Sequence, residues 1–212
     1  MIRIKFPPMK RSLVAILRGI TPDETPAIID GLVEAGFTAI EIPLNSPDPF
    51  KSIGIAVRRA PEGVLIGAGT VLSAEDVDRL ADTGGRLMVS PNVDGAVIER
   101  AISHGMVTMP GVFTPTEALA ACAAGASALK FFPASVLGPS GIAAIRAVLP
   151  KDVSVGAVGG VGNADFAAYA RVGIRTFGLG SSLYAAGMEA AEVAHRAEAA
   201  IKAYDALAEE AA

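Results

Sequence analysis

The chain has no tryptophan, one cysteine and two histidines in 212 residues. A single cysteine excludes an intrachain disulfide and suits a reducing compartment. So few histidines, with no His/Cys/carboxylate cluster, leave nothing from which to assemble a zinc-type metal site. Positive charge is also scarce. The formal net charge is −4, which gives no general attraction to nucleic acid or to an anionic membrane. That balance does not argue against a phosphorylated substrate, because phosphate is held by local donors and not by net charge. No stretch of about 18 uninterrupted apolar residues occurs, so no membrane span is expected. Met1 to Ser12 is charged and lacks the apolar core of a signal sequence. A cytoplasmic globular protein is expected. No Gly/Ser-rich break, low-complexity tract or strict repeat divides the chain, so residues 1–212 are expected to form a single domain.

The chain has instead a regular alternation. Eight short apolar runs stand at Leu13–Leu17, Thr38–Ile42, Val64–Ala68, Leu87–Ser90, Val107–Pro110, Ala128–Phe132, Val155–Val158 and Thr176–Leu179. They lack polar alternation, as parallel strands covered on both faces do. Amphipathic segments separate them, and these carry helix punctuation. Thr21-Pro22-Asp23-Glu24 and Thr114-Pro115-Thr116-Glu117 read as capping boxes with proline at the first helical position. Ser46-Pro47-Asp48 and Ser73-Ala74-Glu75-Asp76 are variants. Gly36, Gly105, Gly125 and Gly173 stand where C′ glycines end helices. Apolar stripes run along the helices at Ile28, Leu32 and Ala35, and at Val97, Ala101 and Ile102. Strand and helix alternating through right-handed crossovers give an open doubly wound sheet or a closed barrel. Eight units without a linker favour the α/β (β/α)8 TIM barrel. Residues 1–12 read as an N-terminal extension. Residues 182–212 read as a closing C-terminal helix, with a short extra helix near Leu183.

In such a barrel the site lies at the C-terminal strand ends, and the unusual residues collect there. Lys130 interrupts Ala128-Leu129-Lys130-Phe131-Phe132-Pro133. Lysine is rarely buried unless paired or used, and burial favours the neutral, nucleophilic amine. A lysine that snorkels to water or pairs permanently with an acid would also account for it, although Phe-Phe-Pro offers no nearby route out. Glu41 interrupts Ala39-Ile40-Glu41-Ile42-Pro43-Leu44. It reads as a general acid/base or as half of a structural ion pair with Lys130 or Arg18, and the two readings are compatible. Arg18 ends the first run, where a guanidinium suits a substrate carboxylate or a rim salt bridge. Thr70 follows Gly67-Ala68-Gly69, glycines that would let a ligand approach the backbone. Gly159-Gly160 follows the seventh run, and Gly178-Leu179-Gly180-Ser181-Ser182 follows the start of the eighth. Either would be an ordinary turn. Together they occupy the two loops where barrels bind phosphate with backbone N–H groups and a short helix N-terminus. His104, His195 and Cys122 fall on helices away from the strand ends. Met88 and Met109 read as core, and the acidic C-terminal stretch as a solvated helix face.

These residues also form an ordered set of motifs: Ala15-Ile16-Leu17-Arg18-Gly19-Ile20-Thr21-Pro22, Ile40-Glu41-Ile42-Pro43-Leu44, Gly67-Ala68-Gly69-Thr70-Val71-Leu72, Ser90-Pro91-Asn92, Pro110-Gly111, Lys130-Phe131-Phe132-Pro133, and Gly159-Gly160 with Gly180-Ser181. Over nearly its whole length the chain resembles the 2-keto-3-deoxy-6-phosphosugar acid aldolases, class I Schiff-base lyases on a (β/α)8 barrel. The gluconate branch carries Thr-Leu-Arg-Thr after the glutamate and threonine before the glycine pair. Here Pro43-Leu44-Asn45-Ser46-Pro47 and Val158 stand there, which resembles the galactonate branch. The resemblance implies that Lys130 forms an imine with a 2-keto acid and that Glu41 shuttles protons. Arg18 and Thr70 would hold the carboxylate, and Gly159, Gly160, Gly180 and Ser181 the phosphate. Pro91 and Phe132 would line the pyruvate pocket, with Val158 near C4. It further implies a homotrimer and no cofactor or metal. The same chemistry on the gluconate epimer is the nearest alternative. An epimerase would want metal-binding His and Asp at strand ends, which are absent from the sequence pattern. A non-catalytic phosphosugar-binding barrel would keep the glycine loops but has no use for a buried lysine and glutamate.

Overall fold

The apolar runs become strands because each is covered on both faces. The computed structural model of the chain describes residues 3–209. Its strands are β1 (Leu13–Ile16), β2 (Ala39–Pro43), β3 (Leu65–Gly69), β4 (Leu87–Val89), β5 (Val107–Met109), β6 (Gly111–Val112), β7 (Ala128–Phe131), β8 (Ser154–Val158) and β9 (Thr176–Leu179). The helices are α1 (Thr25–Ala35), α2 (Pro49–Arg59), α3 (Ala74–Asp82), α4 (Gly95–Ser103), α5 (Pro115–Ala123), α6 (Ala134–Arg146), α7 (Phe166–Arg171) and α8 (Ala190–Glu209). Every strand pairing is parallel, and the order is β5-β4-β3-β2-β1-β9-β8-β7-β6. The two ends of that order, β5 and β6, are separated in the chain by Pro110 alone. The sheet therefore curls into an α/β barrel.

Eight strands were expected and nine strand segments are present among the described residues. The difference lies at Pro110, which has no N–H to donate and interrupts the ladder. Its carbonyl still accepts from Lys130 N at 2.9 Å. Across this seam Thr108 N donates to Ser127 Oγ and Ser127 N donates to Thr108 Oγ1, each at 2.9 Å and each buried.

The helix boundaries follow the caps in part. Thr114 and Glu117 form the expected capping box, and Ser73 Oγ accepts from Asp76 N. Thr21 and Glu24 also bond reciprocally, yet α1 begins only at Thr25. Pro26 supplies no N–H to Pro22, so the capped turn is cut off from the helix behind it. Ser46 is not a cap. Asp48 holds that position at φ 41°, and the Ser46 hydroxyl accepts from Gly19 N at 2.9 Å instead. The C-terminal helix starts at Ala190, not at 182, and Gly180 O accepts from Leu183 N and Tyr184 N in a turn with no extra helix there. Leu183 and Tyr184 are buried against the core, which folds this segment inward ahead of the helix. Residues 1–2 and 210–212 of the expected terminal segments lie outside the described residues.

Two apolar layers result. One joins the outer strand faces (Leu13, Ile40, Leu129, Phe131, Phe177) to helix residues such as Ile28, Leu32 and Leu80. The other fills the barrel with Val14, Ile16, Ala39, Leu87, Val107, Met109, Ala128 and Val158. Ile4, Phe6 and Met9 pack against this inner layer, so the N-terminal extension plugs one end. No described helix is long and apolar enough to cross a membrane.

Candidate active site

Side chains alternate faces along a strand. Ala39 and Ala128 belong to the inner layer, so Glu41 and Lys130, each two residues further on, point into the barrel as well. Their neighbours leave room for them. Lys130 pairs with Gly111 on one side and Gly156 on the other, and Glu41 pairs with Gly67. A Cβ on Gly69 would lie 1.8 Å from Glu41 Oε2, and one on Gly67 would lie 1.8 Å from the Leu87 carbonyl oxygen. These glycines were expected to admit a ligand to the backbone. They also make space for the acid and for the adjacent strand.

The two charged groups are nearly dry, with Lys130 7% and Glu41 3% exposed. Glu41 Oε2 is buried with no hydrogen-bond partner among the described residues. Burial pushes the Glu41 carboxyl up to about 7, against the opposing pull of the Lys130 and Arg18 charges. Burial pulls the Lys130 amine down to about 8, the Glu41 charge opposing and the Arg18 charge assisting. The Lys130 Nζ also lies 4.8 Å from the centre of the Phe132 ring. Each group is thus poised near neutrality, where both protonation states are accessible.

A cavity of about 380 Å³ opens over this pair. Arg18, Glu41, Thr70, Pro91, Lys130, Phe132, Val158, Gly159, Gly160, Gly180 and Ser181 all line it. Every residue expected from the sequence to form the site therefore lines one cavity. Arg18 sits exposed at the rim, where Nη1 donates to Asn45 Oδ1. Among the described residues no carboxylate pairs with it, so the rim salt bridge is not formed. Thr70 adopts φ 56°, a left-handed conformation that a β-branched residue rarely takes without cause. Gly159 and Gly160 have φ 91° and 70°, and a Cβ on either would strike Phe132 or Ser135.

Ile16, Val161, Gly178, Tyr184 and Ala185 complete the lining. Inward alternation from Val14 could have placed Ile16 there. Nothing local distinguishes Tyr184 or Ala185. His104 lies on the outside, paired with Asp78, and Met88 and Met109 are core. Among the described residues no three His, Cys, Asp or Glu side chains are grouped to hold a metal ion.

Residues 8–184 match the family model described as "Aldolase: KDPG and KHG aldolase". The chain belongs to the KDPG and KHG aldolase family. Among these aldolases it is 68% identical over 207 residues to a probable 2-dehydro-3-deoxy-6-phosphogalactonate aldolase of Rhizobium meliloti (strain 1021), covering 98% of each chain. It is 50% identical to the 2-dehydro-3-deoxy-6-phosphogalactonate aldolase of Escherichia coli (strain K12), over 92% of this chain and 95% of that one. A solved structure described as "Native KDPGal structure" superimposes with a TM-score of 0.94 at 48% identity, over 97% of this chain and 99% of that one.

Proposed function

We propose that the chain is a class I aldolase that cleaves 2-dehydro-3-deoxy-6-phosphogalactonate to pyruvate and glyceraldehyde 3-phosphate. The buried pair carries this reading: an amine lowered to about 8 and a carboxyl raised to about 7, facing one cavity. An imine-forming lysine needs a free lone pair near neutral pH, and a proton shuttle needs both of its forms there. The names of the Rhizobium and Escherichia relatives support the galactonate substrate. So does Val158 on the cavity wall, where the gluconate branch carries a hydroxyl, since the two epimers differ at C4.

Arg18 and Thr70 hold the carboxylate, and Gly159, Gly160, Gly180 and Ser181 hold the terminal phosphate. Clamped at both ends, the keto carbon lies against Lys130, and the encounter becomes intramolecular. The Nζ lone pair adds to C2 to form a carbinolamine, which loses water to give an iminium. Glu41, through a water, takes the C4 hydroxyl proton. The C3–C4 bonding pair then moves toward the iminium nitrogen, leaving an enamine and glyceraldehyde 3-phosphate. Glu41 returns a proton to C3, and hydrolysis of the imine releases pyruvate and the free amine. Pro91 and Phe132 enclose the pyruvate methyl group. The scheme draws on no metal and no organic cofactor. The working protein is a cytoplasmic homotrimer of single-domain (β/α)8 barrels, with β5 and β6 the two halves of one strand bent at Pro110.

Borohydride reduction in the presence of pyruvate tests the scheme. It should add one pyruvate-derived group, mapped to Lys130, and Lys130→Ala should abolish it. A covalent adduct in that variant would end the assignment. Cleavage of the galactonate substrate should exceed that of its gluconate epimer, and the reverse preference would transfer the reading to gluconate.

A further inference from the structure

Two adjacent residues fasten the loop that carries Arg18. Arg18 Nη1 donates to Asn45 Oδ1 at 2.5 Å, and the next residue's Gly19 N donates to Ser46 Oγ at 2.9 Å. Neither contact belongs to the β1–β2 ladder, whose last register pair is Ile16 with Glu41. Ser46 is buried although its side chain does not cap α2. Its own N–H donates to Pro43 O, so it is fixed to the end of the strand that bears Glu41. Gly19 is at φ +87°, and a Cβ there would lie 3.0 Å from the Ala186 Cβ. The loop after β1 is therefore held between the loop after β2 and the segment after β9.

We infer that Asn45 and Ser46 are positioning residues that aim Arg18 at the substrate carboxylate. The inference rests on the role proposed above for Arg18. A guanidinium carries several donors in a rigid fork. Asn45 engages Nη1, leaves the remaining donors directed elsewhere, and adds no charge that would compete with a carboxylate ligand. An aspartate at this place would satisfy the same donor but neutralise the arginine. Ser46 sets the backbone from which the guanidinium projects. Asn45 and Arg18 are both exposed, so their contact contributes little to folding. Its effect belongs to orientation.

The experiment is a double-mutant cycle on pyruvate binding, read by borohydride trapping over a pyruvate titration, alongside the KM of glyceraldehyde 3-phosphate in the synthetic direction. Asn45→Ala should raise the half-saturating pyruvate concentration about fivefold, the scale of one net hydrogen bond, and leave the aldehyde KM unchanged. Arg18→Ala should raise it further, and Asn45→Ala should add nothing in the Arg18→Ala background. An Asn45 effect that persists without Arg18 would overturn the inference while sparing the role of Arg18, as would an Asn45→Ala enzyme with wild-type pyruvate affinity. Arg18→Ala with unchanged pyruvate affinity would remove both. Ser46→Ala, which removes only the acceptor for Gly19 N, should repeat the pyruvate-selective loss, and an equal loss toward both substrates or a failure to fold would count against Ser46.

Discussion

Lys130 and Glu41 are each held away from the charge they would carry in water, and each restrains the other. The carboxylate raises the amine's pKa while burial lowers it. Removing the carboxylate should therefore carry the amine below about 8. In Glu41→Gln the pH midpoint for pyruvate trapping should move to lower pH, while turnover falls by about 10²–10⁴, the usual contribution of a positioned acid/base. Trapping that keeps its wild-type pH profile would show that the two groups are not electrostatically linked. Gly69 supports the same acid. Its Cα faces the carboxylate, and a methyl group would sit 1.8 Å from Oε2. Gly69→Ala should fold, displace the acid by about 1 Å and reduce turnover on the order of a hundredfold. A folded Gly69→Ala enzyme with normal turnover would mean the carboxylate has another seat. Lys130 and Glu41 were legible in the sequence because a charge inside an apolar run conflicts with its surroundings. Tyr184 and Ala185 conflict with nothing local. They reach the cavity only because the segment after β9 turns on Gly180 and packs inward, a tertiary fact with no local signature.

Among the elements, the strands were more legible than the helix starts. Apolar runs announce burial on both faces, whereas a cap announces only a set of donors in need of acceptors. Ser46-Pro47-Asp48 has the residues of a cap, but the Ser46 hydroxyl is taken by Gly19 N. The Thr21 cap is made, but Pro26 detaches it from α1. Pro110 divides β5 from β6 for the same reason, a missing N–H. At that seam the side chains of Thr108 and Ser127 replace ladder bonds between β5 and the start of β7. Thr108→Val keeps the shape and deletes the acceptor for Ser127 N, leaving a buried donor unpaired. The expected cost is about 1–3 kcal/mol, seen as a lower denaturant midpoint with pyruvate trapping retained. An unchanged midpoint would mean that the seam is closed by packing alone.

The barrel as a whole holds a pair of buried ionisable groups whose mutual attraction offsets only part of their desolvation, and this has a pH signature. Glu41 is raised from its ordinary 4.5 to about 7. Its burial costs nothing below about pH 4.5, where it is protonated whether folded or unfolded, and the full amount above about 7. Lys130 is lowered from 10.5 to about 8. Its cost is complete below about pH 8 and vanishes above about 10.5. Both penalties are at full strength together only between about pH 7 and 8. Replacing a buried ion pair with neutral side chains of similar size is often stabilising, by about 1–4 kcal/mol. The double variant Lys130→Met/Glu41→Gln should therefore be inactive and more stable than the native chain. The gain should peak between about pH 7 and 8 and shrink in both directions, toward acid as the Glu41 penalty disappears and toward alkali as the Lys130 penalty does. Thermal or denaturant unfolding across that range measures it. A gain independent of pH would come from packing, and a loss of stability at neutral pH would mean that the attraction between the two charges outweighs their desolvation.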